Sequence, residues 1–258
     1  MKTEPSTLTF DPRLREAVAR HPKPPLFVTI SGAHLYGFAS PDSDYDLRGC
    51  HLLPLRDLVG LDAARETIEI SETRDGLEFD IVTHDAKKYF NLLLKSSGYA
   101  LEQIVSPLVV HTSPAHEELK VIAQGCVNLK FARHYFGFAE NQWRLFEKKV
   151  PHRVKPLLYI YRVLLTGIHM MQTGEIEANL VTLNQKFQLP IVSDLIALKV
   201  QGEEKSPLPA ADIPFFRAEY DRLRELLQTA EAQSALPPDN DVRPALNDLL
   251  VRLRLGTP

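Results

Sequence analysis

The spacing of apolar residues changes once along this chain, and that change limits the folds open to it. Up to about Pro107, short runs of β-branched and aromatic residues alternate with turn formers; beyond it the spacing is helical almost to the end. Pro24–Ile30 reads as a strand that stops at Ser31-Gly32, and Tyr45–Leu53 as a second strand closed by Pro54. Thr67–Glu72 and Leu77–Thr83 alternate apolar and polar residues across Asp75-Gly76, which predicts a hairpin. A helix is expected from His84 to near Gly98 and a shorter one over Ala100–Val105. Further helices are expected over Ala115–Phe146, Arg153–Gln172, Ile191–Gln201, Pro214–Ala230 and Arg243–Leu255. Only the short apolar run Leu108–His111 competes as a strand there, and Pro207–Pro209 and Pro237-Pro238 read as loops. The chain therefore divides near residue 112 into an α/β half and an all-helical half.

A hydrophobic content of 44% with 24% charged residues is enough to bury a core without staples. Cys50 and Cys126 stand far apart with no metal-ligand spacing, as free thiols of a reducing compartment would. Met1–Phe10 lacks the pattern of a leader, and no stretch approaches the roughly 18 apolar residues that span a bilayer, so a cytoplasmic protein with no membrane partner is expected. The net charge of −3 argues against a general coat of positive charge. Between Lys130 and Arg162, however, Lys and Arg outnumber acids eight to two. That run either contacts phosphates or forms a solvated helix face.

The chemistry is carried by Asp44-Tyr45-Asp46. Side chains alternate along a strand, so the two carboxylates point to one face and can share hard, oxygen-seeking cations such as Mg²⁺. Asp80 sits in mid-strand between Phe79 and Ile81, which face the other way, and a carboxylate so placed needs a partner. Upstream, Ser31-Gly32-Ala33-His34 follows a strand directly, offering small residues and backbone N–H groups to a phosphate. Asp42 reads as a turn cap rather than a metal ligand. Arg48 suits either a phosphate or an ion pair with Asp46. Tyr36, Trp143, Tyr159 and Tyr161 read as packing residues, His34 as polar filling, and Glu102 as an exposed helix residue sooner than a buried acid lining the cleft. Lys155 and Arg162, seven residues apart, share one helical face.

These residues resemble the DNA polymerase β nucleotidyltransferase superfamily, whose pattern is a Gly-Ser turn, then Asp-x-Asp, then a separate third Asp. More narrowly, Ser31–Gly37 and Ser43–Gly49 look like the predicted nucleotidyltransferases associated with RNA ligases, over residues 26 to about 106. The resemblance implies an α+β fold. A polymerase β-like domain with a short mixed sheet flanked by helices would occupy residues 1–112, and an all-helical domain residues 113–258.

It further implies that Asp44, Asp46 and Asp80 are the catalytic, metal-holding residues, with Mg²⁺ or Mn²⁺ as cofactor and an NTP, ATP included, as substrate. Ser31, Gly32, Ala33, Tyr36, Ser43, Arg48, Lys155 and Arg162 would bind the nucleotide. The implied reaction moves a nucleoside monophosphate to an acceptor hydroxyl, an RNA end among the candidates. One departure stands out: Ala33 occupies the serine position of the Gly-Ser turn. It favours an alternative reading, a toxin–antitoxin partner or an inactive module that binds a protein or nucleotide without turnover.

Overall fold

Strand alternation sorts the residues of the amino-terminal half onto two faces of one sheet, and everything that positions the site follows from that sorting. The structure, a computed structural model, describes residues 10–202, 208 and 212–256. The first nine residues, Pro207 and Pro209 therefore lie outside the described residues.

Asp11 accepts a hydrogen bond from the backbone N–H of Arg13 at 2.9 Å and so caps α1 (Pro12–Ala19), which begins on a proline. There follow β1 (Pro25–Ile30), a single turn α2 (Gly32–Tyr36), β2 (Tyr45–His51) and a short α3 (Leu55–Leu58). The expected hairpin is β3 (Thr67–Arg74) and β4 (Leu77–Asp85), turning through Asp75 at φ 47° and Gly76 at φ 77°. Two left-handed residues match the twist of paired strands. Next come α4 (Ala86–Leu94), α5 (Gly98–Val105), β5 (Val109–His111), α6 (Pro114–Gln124) and α7 (Phe131–Lys148). The chain continues through α8 (Val154–Thr173), α9 (Leu180–Phe187), α10 (Pro190–Gln201), α11 (Ile213–Gln233) and α12 (Arg243–Leu255).

The strands lie in the order β3-β4-β2-β1-β5. β2 and β4 run parallel and the other neighbours antiparallel, so the sheet is mixed. Val28, Ile30, Leu47, Phe79 and Ile81 point to one face and pack beneath Leu14, Ala17 and Val18 of α1. Phe27 and Cys50 point to the opposite face, into a core that continues through Tyr89, Tyr135 and Leu164 to Leu227 and Leu249. The α/β and helical halves thus share one core. At its centre is α8, buried around most of its circumference from Leu157 to Met171.

The single helix expected over Ala115–Phe146 is two. α6 stops at Gly125, and the intervening loop is held by Asn128, whose side-chain oxygen accepts from the N–H of Lys130 at 2.9 Å. Asn240 donates to the Val127 carbonyl at 2.8 Å. Apolar residues continue through the break because the loop is itself packed, which hid the interruption from a reading of periodicity. The short helices α1, α3 and α9 were also not expected. α9 begins where Asn179 accepts from the N–H groups of Val181 and Thr182 at 3.0 and 3.2 Å. Both cysteines are free and buried. Among the described residues no helix is long and apolar enough to cross a membrane.

Candidate active site

The parallel pairing of β2 with β4 sets Asp46 directly opposite Asp80. Their neighbours Leu47, Phe79 and Ile81 face α1, so both carboxylates emerge on the other face, as alternation requires. Asp44, one residue ahead of β2, lines the same 340 Å³ cavity together with Ser71, Glu72 and Glu78. Ser71 donates its hydroxyl to Asp80 Oδ1 at 2.6 Å.

Arg48 stands on the same face of β2 as Asp46 and pairs with two of the cavity's acids. Its Nη2 lies 2.5 Å from Asp46 Oδ1 and its Nη1 3.2 Å from Asp80 Oδ2. Nη1 also donates to the carbonyls of Leu47 and Asp80, each at 3.0 Å, which fixes the guanidinium between the two acids. Burial pushes the Asp46 carboxyl above its ordinary range and Arg48 opposes that shift; the charges of Asp44 and Asp80 reinforce it, and Lys155 counters it. Five charged groups from both halves of the chain are therefore coupled at Asp46. Among the described residues no three His, Cys, Asp or Glu side chains form a ready-made metal cage. The three aspartates share a cavity rather than a closed coordination shell, with Arg48 spanning two of them. Their donors are all oxygen, which suits Mg²⁺ or Mn²⁺.

The glycine turn abuts the same carboxylate. The N–H of Ser31 donates to the Asp46 carbonyl at 2.7 Å. Gly32 adopts φ +61°, and a Cβ there would stand 2.0 Å from Asp46 Oδ2. Ala33, at the serine position of the related pattern, is 7% exposed and packed into the core. α2 closes at Gly37 in the left-handed conformation. His34 stacks on Tyr45 with ring centroids 4.1 Å apart, and burial lowers its pKa.

Beneath the turn lies Tyr36, a packing residue as expected. Its ring meets Tyr159 edge-on at 5.5 Å and carries the Arg162 guanidinium 3.9 Å above it. Arg162 Nη1 in turn lies 2.7 Å from Glu102 Oε2, and both side chains are at most 3% exposed. Glu102, expected to be exposed, is thus a buried acid that also accepts from the Tyr135 hydroxyl at 3.2 Å. The sequence signal was present: α5 is apolar on nearly every side, so an acid within it is buried wherever it points. Lys155 and Arg162 share a face of α8 as expected but serve different places. Lys155 acts on Asp46, whereas Arg162 is enclosed under Tyr36 rather than open to the cavity.

The turn that delivers Asp44 is pinned at Ser43, whose hydroxyl accepts from the N–H of Ser40 at 3.0 Å. The buried ammonium of Lys199, from α10, donates to the Ser40 hydroxyl. No periodicity argument pointed to Lys199, because its partners lie about 160 residues upstream. Trp143 and Tyr161 are core residues as expected.

A strand, a glycine turn and two aspartates in register across parallel strands fit a polymerase β-like nucleotidyltransferase. Residues 9–252 match the RNA repair pathway DNA polymerase beta family, and the chain belongs to that family. It is similar to the uncharacterized protein MJ0002 of Methanocaldococcus jannaschii, 34% identical over 155 residues, which span 60% of this chain and 63% of that one. It is also similar to the uncharacterized protein YcgL of Bacillus subtilis, 24% identical over 88% of each chain. Among solved structures, a nucleotidyltransferase-like protein from Exiguobacterium sibiricum aligns over 93% of this chain and 72% of its own, at 11% identity and a TM-score of 0.33.

Proposed function

We propose that this protein transfers a nucleoside monophosphate from an NTP to an acceptor hydroxyl, with an RNA end as the acceptor. The observation that carries the reading is the in-register pair Asp46 and Asp80, with the Gly32 turn against the Asp46 carboxylate. Asp44, Asp46 and Asp80 would hold Mg²⁺ or Mn²⁺ once Arg48 turns aside. Bound there, the metal neutralises charge on the transferring phosphate and lowers the pKa of an attacking hydroxyl.

The chain's own residues do the remainder. Backbone N–H groups of the turn at Gly32 and Ala33 receive the phosphate tail, while the Ser31 N–H, bonded to the Asp46 carbonyl, ties the turn to β2, and Ser43 fixes the approach to Asp44. Lys155 contributes positive charge beside Asp46. Arg48, displaced from the carboxylates, is within reach of a phosphate it can grip with two donors. Tyr36 and Arg162 support the turn from below. Asp80, which accepts a hydrogen bond from Ser71, would take the proton of the acceptor hydroxyl. A reducing cytoplasm suits its two buried free thiols.

The rival reading, an inactive nucleotide-binding module or toxin–antitoxin partner, rests on Ala33 and on Arg48 already neutralising Asp46 and Asp80. Incubation with each labelled NTP, Mg²⁺ or Mn²⁺, and separate pools of RNA, protein and small molecules distinguishes the two. Metal-dependent label in RNA is expected. Metal and nucleotide binding without incorporation into any pool would favour the rival.

A further inference from the structure

We propose that the loop joining α7 to α8 binds the phosphate backbone of a single-stranded nucleic acid and leads its end to the Asp46 cavity. This rests on the transfer reading above. The loop is flanked by Lys148 at the end of α7 and carries Lys149 and Arg153, with Lys155 at the start of α8. Lys148 and Lys149 are exposed and Arg153 is half-buried. The nearby acids of α7 are already committed, Glu140 to Arg144 at 3.2 Å and Glu147 to Arg217 at 2.8 Å. Among the described residues, Lys148, Lys149 and Arg153 form no ion pair. The Nε of Arg153 is buried with no hydrogen-bond partner, so the guanidinium is short of acceptors.

The loop is also preset. A ring nitrogen of His152 donates to the Phe146 carbonyl at 2.9 Å, and the two rings pack with centroids 4.7 Å apart. The His152 carbonyl accepts from the N–H of Leu208 at 2.8 Å. The backbone that carries these cations is therefore fixed at His152 before any ligand arrives.

Continuity with the site comes through Lys155, whose charge acts on Asp46. The seven residue-to-residue steps from 148 to 155 span at most roughly 25 Å, a few nucleotides of strand. A strand end brought to a cavity lined by Asp44, Asp46, Asp80, Glu72 and Glu78 is repelled by those carboxylates, and a cationic approach offsets that repulsion. Since the whole chain carries net charge −3, the cluster is a local feature and not part of a general positive coat. Its confinement to one loop fits a single strand better than the two backbones of a duplex.

The test measures binding of a labelled single-stranded RNA dodecamer to the full chain and to the K148A/K149A/R153A variant, over roughly 50 to 200 mM salt. Loss of three phosphate contacts should make the log–log salt slope shallower by about two and lower affinity on the order of tenfold. NTP binding, measured separately, should be unchanged in the variant. Equal RNA affinity and slope in both proteins would overturn the loop assignment and leave the transfer reading intact. Equal affinity of the wild-type chain for poly-glutamate of matched charge would overturn the nucleic-acid assignment in favour of an acidic protein. RNA binding that depends on the loop, in a protein that labels no acceptor, would support the loop and count against transfer.

Discussion

Gly32 is held to glycine by two independent constraints. Its φ of +61° is strained for any L side chain, and a Cβ would collide with the Asp46 carboxylate. The lack of a Cβ thus permits both the turn conformation and the clearance around the Asp46 carboxylate. Gly32→Ala is expected to move either the turn or Asp46 by about an ångström and lower transfer on the order of 100-fold. Gly76, at φ +77° with open space around it, provides the control. Gly76→Ala should cost about 1 kcal/mol of stability and leave transfer intact. Comparable single-turnover rates for the two variants would show that the contact with Asp46 is irrelevant to function. Arg48 was open between two roles in the sequence. The structure places it in an ion pair with both Asp46 and Asp80, because alternation along β2 puts residues 46 and 48 on one face beside Asp80.

At the scale of elements, α8 joins the halves by presenting Lys155 to the sheet's acids and Arg162 to Glu102 of α5. An ion pair this deeply enclosed contributes little beyond what packed apolar residues would, but removing one partner strands the other. Arg162→Ala should therefore cost about 3–5 kcal/mol, with much of that recovered in the double variant Arg162→Met, Glu102→Leu. Denaturant midpoints of the three proteins test this; a loss under about 1 kcal/mol in the single variant would mean the pair is more solvated than its burial indicates.

The strands and their faces were legible in the sequence because alternation and turn residues are local signals. That Asp46 and Asp80 share a face of the sheet was legible for the same reason, since each lies within a strand, with Asp44 just ahead of β2. Contacts made across long stretches of chain were not: Glu102 with Arg162, Lys199 with Ser40, and the loop that divides α6 from α7. These depend on which helix faces meet, and periodicity gives a face without naming its neighbour.

Across the whole molecule, the last helix is tied to the sheet's edge of the core by one charged contact. Both Asp85 carboxylate oxygens lie 2.6 Å from Arg254 Nη2, and Asp85 also caps α4 through the N–H of Lys87 at 3.0 Å. Close by, His51 and His21 both hydrogen-bond the Thr83 hydroxyl, at 2.8 and 2.9 Å. Burial, with the neighbouring His21, drives the pKa of His51 down to about 4, and burial does the same to His134. A histidine depressed in the folded state adds stability above its unfolded pKa of about 6.5, and that stability is lost as pH falls through 6.5 toward 4. Stability should therefore drop between about pH 7.5 and pH 5, and His51→Gln should reduce that drop by roughly 1–2 kcal/mol. A variant with the wild-type pH dependence would show that His51 is not held neutral by the fold.

The central claim, that the aspartates gathered by β2 and β4 perform metal-dependent nucleotidyl transfer, is tested most directly at Asp46. Asp46→Asn keeps the side-chain volume and removes one charge from a cavity where Asp44 and Asp80 already repel it. The measurement is single-turnover incorporation of labelled nucleotide into RNA with Mg²⁺ or Mn²⁺, at matched concentrations of folded wild-type and variant protein. Incorporation should fall below detection in the variant while its denaturant midpoint stays at or above that of the wild type. Unchanged incorporation in a folded Asp46→Asn protein would contradict the claim.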